Sequence, residues 1–417
     1  MSDQKVMNRW LVVLGAIMIQ FCLGAIYAWS VFTPALKRDF GWTVGQTQAV
    51  FAVGLAFFAI VMVLAGRMMP KFGPRCLAMV GGIVLGLGYI MGGLIDPSNF
   101  WAVFLFIGVI GGSGIGIAYV VPIAVGMRWF PDKKGLITGL AVAGFGFGAL
   151  LWVKLAGAWC HLIDNLGLSY TFVIYGIVFL LTVVIGGIWM VFPPEGWKPE
   201  GWQETAPGTS AAPAGVNFKS GEMLSTPQFW MIFFTFVMGA GSGLMSIGLM
   251  KLFPMTALTG NGYEVLEASA IAGTAMAVFF SLANGLGRIL WGKLSDSLGR
   301  KNSIIIMMAT QGVMVILFQW MAGTPYLLYL GATIIGFNFG GNFSLFPTIT
   351  ADTFGTKNIA QNYPWVFLAY GVGGIFGPML GGKLGDIGNF PLAFTICGIG
   401  CLVAAAVVAC IKPPKKV

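Results

Sequence analysis

Arg288 is the residue whose type and place most demand chemistry in this chain. It lies in Ser281-Leu-Ala-Asn-Gly-Leu-Gly-Arg-Ile-Leu-Trp291, an apolar stretch with no acidic side chain. A guanidinium at such depth costs about 2.5–3.5 kcal/mol on insertion scales. A fixed positive charge there points to an anion arriving from outside, and a planar guanidinium grips a carboxylate with two hydrogen bonds. Extension of the side chain to the inner membrane surface is the bland alternative. Asn284 lies one helical turn before Arg288 on the same face, within reach of the guanidinium or of a ligand. Lys154 is the other cation inside an apolar run, and its place near the outer end predicts a side chain extended to the interface.

Other chemistries have little to work with. All 14 Asp and Glu residues fall in loops, termini or the edges of apolar runs, so no fixed carboxylate relay for protons is visible. His161 is the single histidine, and the six cysteines (Cys22, Cys76, Cys160, Cys397, Cys401, Cys410) form no CxxC pair. They sit in or beside apolar runs, where packing is their expected role. No metal, disulfide or cofactor is expected, and no enzyme activity.

The elements that must position Arg288 follow from composition. The chain of 417 residues is 57% hydrophobic and 9% charged, whereas soluble chains carry about 25% charged residues. Twelve apolar segments of about 20 residues or more span 10–35, 46–66, 76–95, 101–127, 135–159, 170–192, 228–252, 265–292, 302–321, 326–350, 360–382 and 389–411. The expectation is an all-α membrane protein of 12 transmembrane helices. The net charge of +9 reads as topology rather than nucleic-acid binding, because Lys and Arg cluster in alternate loops. With the N-terminus inside, only Lys37, Arg38, Lys251 and Lys383 fall in outer loops, which places both termini in the cytoplasm. Residues 1–9 are short and polar and the next run is long enough to span, so no cleavable signal peptide is expected.

The chain repeats itself. Gly66-Arg-Met-Met-Pro-Lys-Phe-Gly-Pro-Arg75 follows the second span, and Gly292-Lys-Leu-Ser-Asp-Ser-Leu-Gly-Arg-Lys301 follows the eighth. Near the same shift Pro122 matches Pro347, and Gly144-Phe-Gly-Phe-Gly148 falls near Gly371-Val-Gly-Gly-Ile-Phe-Gly377. Two six-helix bundles in the same orientation form a parallel repeat, with bounds 1–192 and 227–417. Between them, 193–226 holds Ala206-Pro-Gly-Thr-Ser-Ala-Ala-Pro-Ala-Gly215, read as a flexible tether. Thr226-Pro227 reads as an N-cap and first turn, with a short surface helix before it around Lys219 and Glu222. The glycines of Gly111-Gly-Ser-Gly-Ile-Gly116 lack the Lys-Ser/Thr of a phosphate loop and predict close helix packing. Asp296, Arg300 and Lys301 either tie the eighth span to its neighbours or are solvated surface charge.

Twelve spans, the 6+6 repeat and the two Gly-x(6)-Gly basic loops resemble the major facilitator superfamily. The second loop, with Asp296, is the closer match; the first has Pro70 and Lys71 where the acid belongs. Within it the chain resembles the oxalate–formate antiporter family, which is similar to the monocarboxylate transporters. The likeness is carried by Arg128-Trp-Phe-Pro-Asp-Lys-Lys-Gly135, Asn217-Phe-Lys-Ser-Gly-Glu-Met-Leu-Ser-Thr-Pro-Gln-Phe-Trp230, Asn284-Gly-Leu-Gly-Arg-Ile-Leu-Trp-Gly292 and Leu345-Phe-Pro-Thr348.

The resemblance implies that Arg288 binds the substrate carboxylate. It implies a cavity-facing Tyr119, although a tyrosine can also anchor at the lipid interface. Tyr27, Phe339, Phe343, Phe367 and Tyr370 match cavity-lining aromatics, and Asn338 and Asn342 are additional polar candidates. Two departures matter. Asn284 stands where eukaryotic monocarboxylate transporters have a proton-handling aspartate. Tyr370 stands where oxalate transporters have a lysine, which favours a monocarboxylate over a dianion. The expected function is a secondary transporter of lactate- or pyruvate-like monocarboxylates, proton-linked, in the cell membrane and monomeric. Carboxylate exchange of the oxalate–formate type is the alternative. A non-transporting sensor is the second alternative, disfavoured by short termini.

Overall fold

The computed structural model describes residues 7–42, 44–156, 160–199, 217–250, 252–412 and 414. The apolar runs fold as helices, because a backbone removed from water must satisfy its own N–H and C=O groups. In chain order α1 is Arg9–Leu23, continued by the 3-10 stretch Gly24–Val31, and α2 is Thr33–Phe40. Then come α3 (Val44–Phe72), α4 (Pro74–Leu94), α5 (Phe100–Val103), a π-helical stretch Phe104–Gly111 and α6 (Gly112–Trp129). α7 (Lys134–Lys154) and α8 (Leu162–Gly187) follow. The second part has α9 (Ser220–Leu224), α10 (Pro227–Leu249), α11 (Leu252–Gly260) and α12 (Val265–Thr274). A π-helical stretch Ala275–Phe280 then leads into α13 (Ser281–Leu298). The last four helices are α14 (Arg300–Met321), α15 (Pro325–Phe354), α16 (Ile359–Asp386) and α17 (Phe390–Ala409). The expected tether at 206–215 and the Lys154 side chain lie outside the described residues.

Among the described residues, 11 helical stretches are long and apolar enough to cross a membrane. The expected span at 326–350 is α15, a 30-residue helix about 45 Å long at 1.5 Å per residue. Its apolarity is diluted by Asn338, Asn342, Ser344, Thr348, Thr350 and Thr353, all buried. A helix enclosed by protein can carry polar side chains that lipid would not accept.

The chain divides into two compact units, Met1–Thr205 and Ala206–Val417. In the first, α1 packs on α7, α3 on α6 and α4 on α8. In the second, α10 packs on α16, α13 on α15 and α14 on α17. These are the same three pairings, taken in repeat order. The glycine matches explain two of them. A Cβ at Gly144 of α7 would stand 2.8 Å from the Ile17 carbonyl of α1. One at Gly373 of α16 would stand 2.8 Å from the Val237 carbonyl of α10. Gly116 behaves likewise, with a Cβ there 2.6 Å from the Phe58 carbonyl, so the glycines of 111–116 serve packing. Gly73 and Gly299, matched by the repeat, have φ of 78° and 82° at the starts of α4 and α14, a region that an L side chain rarely enters.

Local capping follows the sequence. The Phe229 N–H donates to Thr226 Oγ1 at 3.2 Å, with Pro227 at the first position of α10. Between α4 and α5 the Ser98 N–H and hydroxyl donate to Asp96 at 2.9 and 2.8 Å, holding its carboxyl below the ordinary range.

Arg300 closes one end of the second unit. Its Nη2 lies 2.6 Å from Asp296 on α13 and its Nε 3.1 Å from Asp352 on α15, while Nη1 donates to Ser295. Lys301 Nζ donates to the Ile411 carbonyl at 3.0 Å, beyond α17. Three helices thus share one guanidinium whose side chain is only 11% exposed. Arg300→Ala should lower thermal stability by about 1.5–3 kcal/mol, the range for hydrogen bonds to charged groups. Arg300→Lys should recover only part of that loss, because an ammonium cannot serve the same fork; thermal melts of the detergent-solubilised protein measure both.

Candidate functional site

In the second unit, α13 presents Asn284 and Arg288 one turn apart. Arg288 has no exposed surface and Asn284 is 4% exposed, so the side chain does not run out to the membrane surface. Arg288 Nε donates to Asn284 Oδ1 at 3.2 Å. The guanidinium carbon sits 4.0 Å above the Phe343 ring of α15. A hydrogen bond to a charged group is worth about 1.5–3 kcal/mol, and a desolvated cation–π contact about 2 kcal/mol. Together, at about 3.5–5 kcal/mol, these more than offset the insertion cost of the arginine, so the charge is held inside the unit.

Phe343 is in turn the centre of an aromatic group. Its ring lies 5.3 Å from Phe339, 5.5 Å from Tyr370 and 6.5 Å from Phe367, and Phe367 and Tyr370 stack at 5.1 Å. All four are buried. The four aromatic positions named from α15 and α16 therefore gather on the ring that carries Arg288. In such an apolar setting, electrostatic attraction to an anion is strengthened by the loss of water screening.

Asn338 and Asn342 do something else. Asn338 accepts from Trp291 Nε1 at 3.2 Å and donates to Thr310 Oγ1 at 3.1 Å, linking α13, α14 and α15. Asn342 donates to the Phe339 carbonyl at 3.0 Å, and a Cβ at Gly239 of α10 would stand 2.5 Å from its Oδ1. The Asn338 amide thus ties three helices together, whereas the Asn342 NH2 bonds within its own helix and its Oδ1 faces Gly239.

In the first unit, Tyr119 on α6 is 1% exposed. Its ring lies 4.9 Å from Phe58 and 5.5 Å from Phe145, and Tyr27 lies 5.1 Å from the same Phe145. Tyr27 and Tyr119 are thus joined through Phe145. The fully buried Gln20 of α1 donates to the Tyr119 carbonyl at 3.2 Å. Sequence reasoning missed Phe58, Phe145 and Gln20. The first two looked like any apolar residue; Gln20, a lone amide inside an apolar run, was the available signal.

The close approach of α13 and α15 makes a prediction. A Cβ at Gly340 would collide with the Asn284 carbonyl and stand 3.0 Å from its Oδ1. Gly340→Ala should therefore lower stability by about 1–3 kcal/mol through overpacking. It should also disturb the residue that orients Arg288. Thermal melts and ligand titration of the purified variant measure the two effects.

Comparison with known proteins bears on this geometry. A family model described as Major Facilitator Superfamily matches residues 12–279 and 263–417. The chain is 30% identical over 370 residues to an uncharacterized MFS-type transporter, YhjX, of Escherichia coli, covering 88% of this chain and 86% of that protein. It is 28% identical over 414 residues to the oxalate:formate antiporter of Oxalobacter formigenes, covering 97% and 92%. It is 25% identical over 456 aligned positions to apicoplast pyruvate carrier 1 of Toxoplasma gondii, covering 86% and 81%. Its fold is similar to that of the transporter FucP crystallised in the outward conformation. That match has a TM-score of 0.68 at 14% identity and covers 95% of this chain and 97% of that one.

Proposed function

This chain belongs to the major facilitator superfamily, and on that premise we propose that it carries small monocarboxylates of the lactate or pyruvate kind across the cell membrane, linked to protons. One observation carries the proposal: a wholly buried Arg288, oriented by Asn284 and seated on Phe343. The guanidinium binds the substrate carboxylate, and Phe339, Phe343, Phe367 and Tyr370 surround its alkyl part. Tyr119 and Tyr27 are proposed substrate contacts within the first unit. Alternating access exposes Arg288 first to one side of the bilayer and then to the other. No Asp or Glu lies in the interior of an apolar run, so the proton travels with the carboxylate rather than on a fixed acid. The protein acts as a monomer with both termini in the cytoplasm.

The likeness to an oxalate:formate antiporter over 97% of the chain favours a second reading, carboxylate exchange. Tyr370 weighs against oxalate, since a dianion is better matched by two cations than by one. Symport and exchange separate in proteoliposomes. Uptake driven by a pH jump supports symport; uptake that requires substrate on the far side and ignores pH supports exchange.

Competition by lactate, pyruvate, formate, acetate and oxalate identifies the substrate. Arg288→Ala should abolish uptake of the preferred carboxylate, and Arg288→Lys should leave roughly a tenth or less, since a point charge replaces the fork. Normal transport by Arg288→Ala refutes the proposal. Tyr370→Lys adds a second cation on α16 and should move the preference in the same panel toward oxalate.

A further inference from the structure

We propose that Asn362 is a positioning residue of this transport site, acting from the docked end of the linker that precedes α10; the proposal rests on the transporter reading above. The segment Asn217–Ser220 seats in the notch where α15 ends and α16 begins. The Phe218 N–H donates to the Phe354 carbonyl at 2.9 Å. Its carbonyl accepts from the amides of Asn358 at 2.9 Å and Asn362 at 3.0 Å. Its ring packs edge-on to Phe354 at 5.6 Å, leaving the residue 2% exposed. The Lys357 N–H donates to Asn217 Oδ1 and the Ser220 hydroxyl to Asn362 Oδ1, each at 3.0 Å.

Asn362 has no exposed surface, and the linker takes both ends of its amide. The residue therefore fastens the first turn of α16 to a segment outside the bundle. Pro364 follows two residues later inside the same helix. It has no N–H for the Ala360 carbonyl, which weakens the helix between this first turn and the rest. Beyond the proline lie Phe367 and Tyr370, which abut the Phe343 ring beneath Arg288. A pinned turn, a weak point and the aromatic group follow one another along a single helix. The dock holds the near side of the weak point, so the far side, with Phe367 and Tyr370, pivots against a fixed base.

A similar anchoring occurs in the first unit, in the two residues just before the linker. Trp129 Nε1 donates to the Val191 carbonyl at 2.7 Å, and the Arg128 guanidinium lies 3.8 Å over Phe192. There the anchored helix is α6, which carries Tyr119.

A fixed base sets how fast the site changes state more than how tightly it binds. Trypsin cleavage after the exposed Lys219 reports the dock, and exchange of the preferred carboxylate in proteoliposomes reports transport. Asn362→Asp keeps the side chain's size but loses the donor to Phe218; Phe218→Ala attacks the same dock from the linker side. Asn362→Asp should raise cleavage at Lys219 roughly tenfold, as the loss of a hydrogen bond worth about 1.4 kcal/mol requires; Phe218→Ala keeps the backbone bonds but removes the buried ring and should raise it at least as much. Each should also lower the maximal exchange rate about fivefold or more with KM within about twofold of wild type, the pattern of a conformational step. Faster cleavage with an unchanged rate overturns the proposal, as does a rise in KM in step with the loss of rate. Unchanged cleavage in both variants overturns the dock itself. Failure of the substrate reading looks different: the wild-type protein then carries none of the carboxylates, while Lys219 cleavage still reads the dock.

Discussion

A guanidinium buried among helices has to be held by its surroundings, and much of the second unit is arranged to do so. Asn284 accepts from Nε, and the Phe343 face receives the planar cation. The first contact is internal to α13, but the second needs α13 and α15 to run almost backbone to backbone. Gly287 and Gly340 permit that, since a Cβ on either would strike the opposite chain at Phe337 or Asn284. Phe343 cannot turn away because Phe339, Phe367 and Tyr370 crowd it. The position of one charge thus depends on two glycines and four aromatic rings.

The repeat supplies the frame for this arrangement and then departs from it. Both units pair their helices in the same way, and glycines seat α7 on α1 as they seat α16 on α10. The polar contents differ. The first unit offers Tyr119, backed by Gln20, Phe58 and Phe145. The charged ties also differ, with Arg9 paired to Asp132 in one unit and Arg300 shared between Asp296 and Asp352 in the other. A duplicated scaffold can diverge this way because helix pairing relies on small residues at the seams, while the side chains facing elsewhere are free to change.

The motif Asn217–Trp230 was readable as a family likeness but not as a device. Its Thr226 and Pro227 announced a helix start, which is a local matter of one hydroxyl and one missing N–H. Phe218 gave no sign of its partners, because Asn362 is 144 residues away in the chain. Asp352 was missed for the same reason, since nothing in its neighbourhood names Arg300. Asn338 and Asn342 are alike in sequence, as polar residues in an apolar run, but Asn338 bonds to α13 and α14 while the Asn342 NH2 bonds only to its own helix.

The sequence by itself determined the helices, the repeat and the place of Arg288, because each is written in short-range signals: apolar run length, glycine spacing and a charge where charge is costly. It also named Asn284, since residues four apart on a helix share a face. Only the tertiary structure decided that Phe343 lies beneath the guanidinium, that Phe145 joins Tyr27 to Tyr119, and that the linker docks on α15 and α16. Those contacts join residues far apart in the chain, and their choice of partner is settled by close packing, which no local pattern encodes.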